Sequence, residues 1–206
     1  MPTILITGFG PFPGSPYNPT GPLVQRLARL RRPRLAGVKI IAHVFPTSYA
    51  AVDRELPRLI AKHKPDVLLM FGLAPRARCL RIETWARNSV ALLPDASGVA
   101  LVRHTIQPNG PAALAMPAPA QRLLSAVRST RVPATLSRDA GRYLCNYLCW
   151  RAAEAADTGN GPRLAAFVHV PKIARFALRP GKRRVLALND LTRAGGALLA
   201  TVAGLV

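Results

Sequence analysis

Cys145 follows the stretch Asp139-Ala140-Gly141-Arg142-Tyr143-Leu144, a turn signal running into an amphipathic helix, so its thiol falls in the first turn of that helix. Unpaired backbone N–H groups and the helix dipole stabilise an anion at such a place, and a thiolate is the nucleophilic form of cysteine. The competing reading is a buried structural cysteine, a common fate of this residue type. Cys149, one turn further on, fits that second reading, because its position points toward packing. His169 closes the apolar run Ala165-Ala166-Phe167-Val168-His169-Val170 before Pro171, at the carboxyl end of a strand, where open α/β sheets present their chemistry. Glu83 stands alone among Arg76, Arg78, Arg81 and Arg87. A carboxylate in such company is ordinarily a surface salt-bridge partner, and the residues by themselves leave that reading open.

The elements that must position these groups follow from hydrophobic period and breakers. Residues 3–7 are a short β-branched apolar run that breaks at Gly8, as a buried first strand would. In the next loop, Gly8-Phe9-Gly10-Pro11-Phe12-Pro13-Gly14, the third glycine is misplaced for a dinucleotide fingerprint and the prolines block a helix start. Phe9 and Phe12 either wall an apolar pocket at the end of the sheet or pack onto the core. A helix carries Leu23, Leu27 and Leu30; residues 37–45 form a second strand; residues 49–62 form a helix with an expected kink at Pro57; residues 67–71 form a third strand. Strand and helix alternating over short links imply an α/β fold with a parallel sheet. Residues 79–85 alternate as an extended segment, 96–110 look like an irregular strand pair, and 111–119 are a proline- and alanine-rich connection. Helix 121–128, strand 134–136, the Cys145 helix, strand 164–170, a polar segment 172–184 and a helix 187–202 complete the chain.

Length and composition, 206 residues with 50% hydrophobic content, predict one domain over residues 1–206. The absence of a long apolar run or a leader pattern predicts a cytoplasmic protein with no membrane segment. Cys79, Cys145 and Cys149 are odd in number and lack CxxC spacing, so neither disulfides nor a metal site is expected. A formal charge of +20, from 29 basic against 9 acidic residues, raises nucleic acid or another polyanion as a partner. The basic residues cluster only at 26–34 and 182–184, without an RNA-binding aromatic signature, so nucleic acid is not the favoured partner.

Taken in order, Thr7-Gly8-Phe9-Gly10-Pro11-Phe12, Asn18-Pro19, Pro46-Thr47, Ile82-Glu83 with Ala86 and Asn88, Ala140-Gly141 through Cys145-Asn146, and Phe167-Val168-His169-Val170-Pro171 resemble the pyroglutamyl peptidase I family. The resemblance spans residues 3 to 203 and implies a three-layer α/β/α sandwich with a mostly parallel sheet, related to the phosphorylase/hydrolase fold. It implies a cofactor-free cysteine peptidase acting on N-terminal pyroglutamyl peptides, from a family that assembles as homo-tetramers. Cys145 matches the nucleophile, His169 the general base and Glu83 the group that orients the imidazole. Phe9, Phe12, Thr47, Tyr143 and Leu144 match lactam-pocket positions, with Asn18 as a polar contact. Leu73 takes the place of a pocket glutamine, and Ser89-Val90-Ala91-Leu92-Leu93-Pro94 lacks the arginine of the matching family run. These two departures keep alternatives open: an amidase with a different acyl substrate, or a basic homologue that binds RNA or another polyanion.

Overall fold

The structure, a computed structural model, describes residues 1–12, 14–159, 161–174 and 185–206. Pro13 of the first loop and the basic cluster 182–184 lie outside the described residues, as does most of the polar segment 172–184. Six strands form one sheet: β1 (Thr3–Phe9), β2 (Lys39–Phe45), β3 (Val67–Leu73), β4 (Leu80–Glu83), β7 (Ala134–Ser137) and β8 (Leu164–Val170), in the order β2-β1-β3-β8-β4-β7. Pairing is parallel from β2 through β8; β4 then runs antiparallel to β8 and parallel to β7.

Because strand side chains alternate between faces, the sheet separates two cores. Ile4, Ile6, Val67, Leu69, Phe71, Ala166 and Val168 face one core with helices α1 (Thr20–Ala28), α3 (Ala120–Ser129) and α5 (Leu188–Ala203). Leu5, Phe9, Leu68, Met70, Ala165 and Phe167 face the other with α2 (Tyr49–His63) and α4 (Leu144–Asp157). The result is an α/β/α sandwich. Helix α2 continues past Pro57 and ends at Lys64 in the left-handed region, φ 44°.

Residues 96–110 form no strand, contrary to the expected pair. The ribbon lies instead between β5 (Trp85–Arg87) and β6 (Ala113–Ala115), the latter inside the stretch expected to be only a connection. Side chains supply the hydrogen bonds that a ladder would otherwise make. Asn88 Oδ1 accepts from the amides of Ile106 and Gln107, and its Nδ2 donates to the Gln107 carbonyl. Asp95 Oδ1 accepts from the amides of Ser97 and Val99.

Candidate active site

Cys145 is the second residue of α4. Gly141, at φ 83°, makes the left-handed turn that brings the chain into the helix. The N-cap, Tyr143, is extended and offers no side-chain acceptor, so no N-cap side chain competes for the amides of this first turn. Asn146, fully buried beside Cys145, anchors the turn: its Oδ1 accepts from the Arg87 amide at 2.9 Å and its Nδ2 donates to the carbonyls of Arg87 and Ser89.

Strand register brings the other two groups to the same face. His169 follows Ala165 and Phe167 in alternation, so it faces α4, and it lies opposite Gly72 on β3. On β4, Leu80 and Ile82 belong to the far core, which turns Arg81 and Glu83 toward α4. The antiparallel step pairs Arg81 with His169 and Glu83 with Phe167. His169 Nδ1 stands 2.8 Å from Glu83 Oε1, and Cys145 lies near enough to the ring for its charge to act on it. With Nδ1 engaged, Nε2 is the nitrogen left for the thiol. Burial alone would lower the imidazolium pKa of His169. The negative charge of Cys145, then the hydrogen bond and charge of Glu83, overcome it and raise the value to about 9.

Two neighbours complete the arrangement. A β-carbon on Gly72 would sit 2.8 Å from Cys145 Sγ and 2.5 Å from Phe167 Cζ, so only glycine lets the sulfur lie against β3. Arg81 Nε lies 3.6 Å from Glu83 Oε1, while its Nη2 donates to Ser137 Oγ at 2.6 Å and to the Asp139 carbonyl at 3.0 Å. The surface ion pair that the arginine-rich stretch left open for Glu83 does not fit its surroundings: it is 1% exposed, and its Oε2 is buried without a hydrogen-bond partner.

Of the expected pocket residues, Phe9, Tyr143 and Leu144 gather with Cys145 around one apolar cluster that also holds Phe45, Tyr49 and Phe167. Thr47 is buried next to them, its hydroxyl donating to the carbonyls of Gly10 and Pro11. Phe12 is half-buried in a tight turn with Ser15, outside both cores. Two other expected pocket residues have different surroundings. Leu73 sits opposite Val170 in the β3–β8 register, and so belongs to the face turned away from Cys145. The Asn18 amide is committed within its own loop: Nδ2 donates to the Gly10 carbonyl, and Oδ1 accepts from the Thr20 amide and hydroxyl.

Sequence reasoning missed Asp95. Its Oδ2 accepts from the Tyr49 amide at 3.0 Å, capping α2 from a distant loop, and its Oδ1 bonds hold that loop in shape. The same loop is tied to the site by the Tyr143 hydroxyl, which donates to the Pro94 carbonyl, and by the Ala96 amide, which donates to the Thr47 carbonyl. The local signal that could have pointed to it is the Pro94-Asp95 pair, a turn-forming dipeptide. Tyr49 was also missed; its ring meets those of Tyr143 and Tyr147 edge-on, and its buried hydroxyl has no hydrogen-bond partner. Among the described residues, no group of three His, Cys, Asp or Glu side chains could hold a metal ion.

A thiol, an imidazole and a buried carboxylate in sequence on an α/β sheet make this a cysteine hydrolase of the peptidase type. The chain belongs to the pyroglutamyl peptidase family, whose model matches residues 2–191. It is 34% identical over 205 residues to the pyrrolidone-carboxylate peptidase of Clavibacter michiganensis, covering 97% of this chain and 94% of the relative. With the enzyme of the same name from Pyrococcus furiosus it shares 30% identity over 171 residues, covering 82% of this chain and 81% of that one. Among solved structures, pyroglutamyl peptidase I of Bacillus amyloliquefaciens superposes with a TM-score of 0.86 at 28% identity, covering 99% of this chain and 98% of that one.

Proposed function

We propose that this protein is a cysteine omega-peptidase that removes N-terminal pyroglutamyl residues from peptides, with Cys145 as nucleophile, His169 as acid and base, and Glu83 as the orienting carboxylate. The observation that carries the reading is the buried His169–Glu83 pair, 2.8 Å apart, with Cys145 near enough for its charge to raise the imidazolium pKa. In acylation the Cys145 thiolate attacks the pyroglutamyl carbonyl carbon and forms the C–S bond. The oxyanion that develops lies within reach of the backbone amides at the start of α4. As the intermediate collapses, the C–N bond breaks and the His169 imidazolium gives its proton to the departing amine. In deacylation, neutral His169 takes a proton from water, the resulting hydroxide attacks the thioester, and sulfur leaves as thiolate, which restores the starting pair. Glu83, accepting from Nδ1, fixes the tautomer and stabilises the imidazolium in both halves of the cycle.

The apolar cluster of Phe9, Tyr143, Leu144 and Phe167 beside the sulfur suits a small uncharged lactam. Family membership does not favour the reading as a polyanion-binding protein. Among the described residues no helix is long and apolar enough to cross a membrane, in keeping with the proposed cytoplasmic location. The test is hydrolysis of a pyroglutamyl-amide reporter by reduced protein, with a proline-amide reporter as the five-membered-ring control. Turnover of the first and not the second is expected. Turnover of neither, or of both equally, would count against pyroglutamyl specificity.

A further inference from the structure

We propose that Arg81 is a positioning residue that compensates the buried Glu83 carboxylate while His169 is neutral, and so sustains hydrolysis of the acyl-enzyme. This rests on the peptidase reading above.

The need for such a group follows from the burial of Glu83. Its side chain is wholly buried, Oε2 has no hydrogen-bond partner, and Oε1 faces only His169 and Arg81 at ion-pair distance among the described residues. A buried carboxylate with one unpartnered oxygen needs a compensating positive charge beside it, because desolvation penalises the charge. While His169 is imidazolium, the ring supplies the compensating charge. After the leaving amine has taken the proton, the ring is neutral, and Arg81 is then the cation facing Glu83. At 3.6 Å the Arg81–Glu83 contact is an electrostatic pairing rather than a hydrogen bond. The guanidinium is held there by its bonds to Ser137 Oγ and to the Asp139 carbonyl. Asp139 opens the turn that leads to Cys145, so one side chain links the carboxylate strand, the neighbouring strand and the nucleophile loop.

Without this cation the His169 imidazolium loses a repelling charge, and in the acyl-enzyme it stays protonated to higher pH. A protonated ring takes no proton from water, so deacylation slows at neutral pH while acylation, which uses the imidazolium, continues. The other charged or titratable groups around the ring leave this sign unchanged. Cys145 faces it from α4 with Cys149 one turn behind, and Tyr49 and Tyr143 stand beyond the sulfur. None of these is a second cation.

The test is stopped-flow turnover of the pyroglutamyl-amide reporter, followed across about pH 6 to 10, by wild type, Arg81→Gln and Arg81→Lys. Glutamine keeps a donor for Ser137 and Asp139 but loses the charge. Arg81→Gln is expected to release amine in a burst followed by a slow steady state. Its acid limb should move up by roughly one pH unit, making deacylation near neutrality roughly tenfold slower. Arg81→Lys should restore most of the steady-state rate and lose the burst. Ser137→Ala, which frees one anchor of the guanidinium, should move the same limb in the same direction by less, and it carries the test if Arg81→Gln does not fold. Superimposable pH profiles for wild type, Arg81→Gln and Ser137→Ala would overturn the proposal. So would equal losses in Arg81→Gln and Arg81→Lys with no burst and no displaced limb. Failure of the wild-type protein itself to hydrolyse the reporter would instead reject the peptidase reading.

Discussion

Gly72 lies directly against Cys145: a β-carbon added to this glycine would stand 2.8 Å from the cysteine sulfur. The close approach fixes where the thiol can sit relative to His169, which is Gly72's partner in the β3–β8 register.

Gly72→Ala is therefore expected to push the sulfur and the Phe167 ring out of place. Displacing a reacting atom by about 1 Å costs roughly 10²-fold, so kcat/KM should fall by about that factor. Far-ultraviolet circular dichroism should stay close to wild type, because the site is at the end of a strand. An alanine variant with near wild-type kcat/KM would show that the contact relaxes without consequence.

The two cysteines of α4 should differ sharply. Burial pushes the Cys149 thiol well above its ordinary range, while Cys145 is partly exposed. Iodoacetamide at neutral pH should modify Cys145 in step with inactivation and leave Cys149 untouched. Cys145→Ser should abolish turnover, and Cys149→Ser should retain most of it. Matched losses from both substitutions would remove Cys145 from its role.

For His169 the sign of the pH dependence follows from a raised pKa, from 6.5 to about 9. The ring's contribution to stability is complete below about 6.5 and is lost as pH rises through about 9. The Tm difference between wild type and His169→Ala should shrink over that window, and the alkaline limb of kcat/KM should lie near its upper end. Glu83→Gln removes one of the charges that raise the pKa, so the limb should move to lower pH and kcat should fall far more than KM rises. An unmoved limb in Glu83→Gln would detach the carboxylate from the histidine.

Asp95 offers a test of the scaffold. Its carboxylate is held in the charged form by the Tyr49, Ser97 and Val99 amides and the Ser48 hydroxyl; burial opposes this, yet its pKa is lowered overall. The stabilisation it gives is therefore present above the unfolded-state pKa and fades as pH falls through the lower folded value. Asp95→Ala should cost about 1–2 kcal/mol in urea unfolding at neutral pH, the usual range for a lost helix cap. KM should also rise, because Thr47 and Tyr143 are tied to the same loop. Unchanged stability would show that water replaces the carboxylate at no cost.

Sequence period and breakers sufficed where the physics is local. The run 164–170 coincides with β8, Leu164–Val170, because a strand buried on both faces reads as a continuous apolar stretch. The glycine turn before Cys145 likewise marks the start of α4, since the left-handed conformation at Gly141 is a property of that residue type. Glu83 was ambiguous because its arginine neighbours in the chain hide a partner 86 residues away; only the antiparallel β4–β8 pairing brings His169 to it. Residues 96–110 misled for a related reason: the side chains of Asn88 and Asp95, lying before this stretch, bond the amides of Ser97, Val99, Ile106 and Gln107, and no local period records that. Leu73 came from the resemblance, as the residue in the place of a pocket glutamine; its face follows from strand alternation, which turns successive side chains opposite ways.

The most direct measurement is acid-quenched mass spectrometry of the reduced protein within its first turnovers of a pyroglutamyl-amide reporter, followed by mapping of the modified peptide. A pyroglutamyl thioester on Cys145 is expected, absent from Cys145→Ser and longer-lived in variants that impair deacylation. Hydrolysis that proceeds without any acyl group on Cys145, or with the group carried by Cys79 or Cys149, would contradict the assignment of Cys145 as the nucleophile.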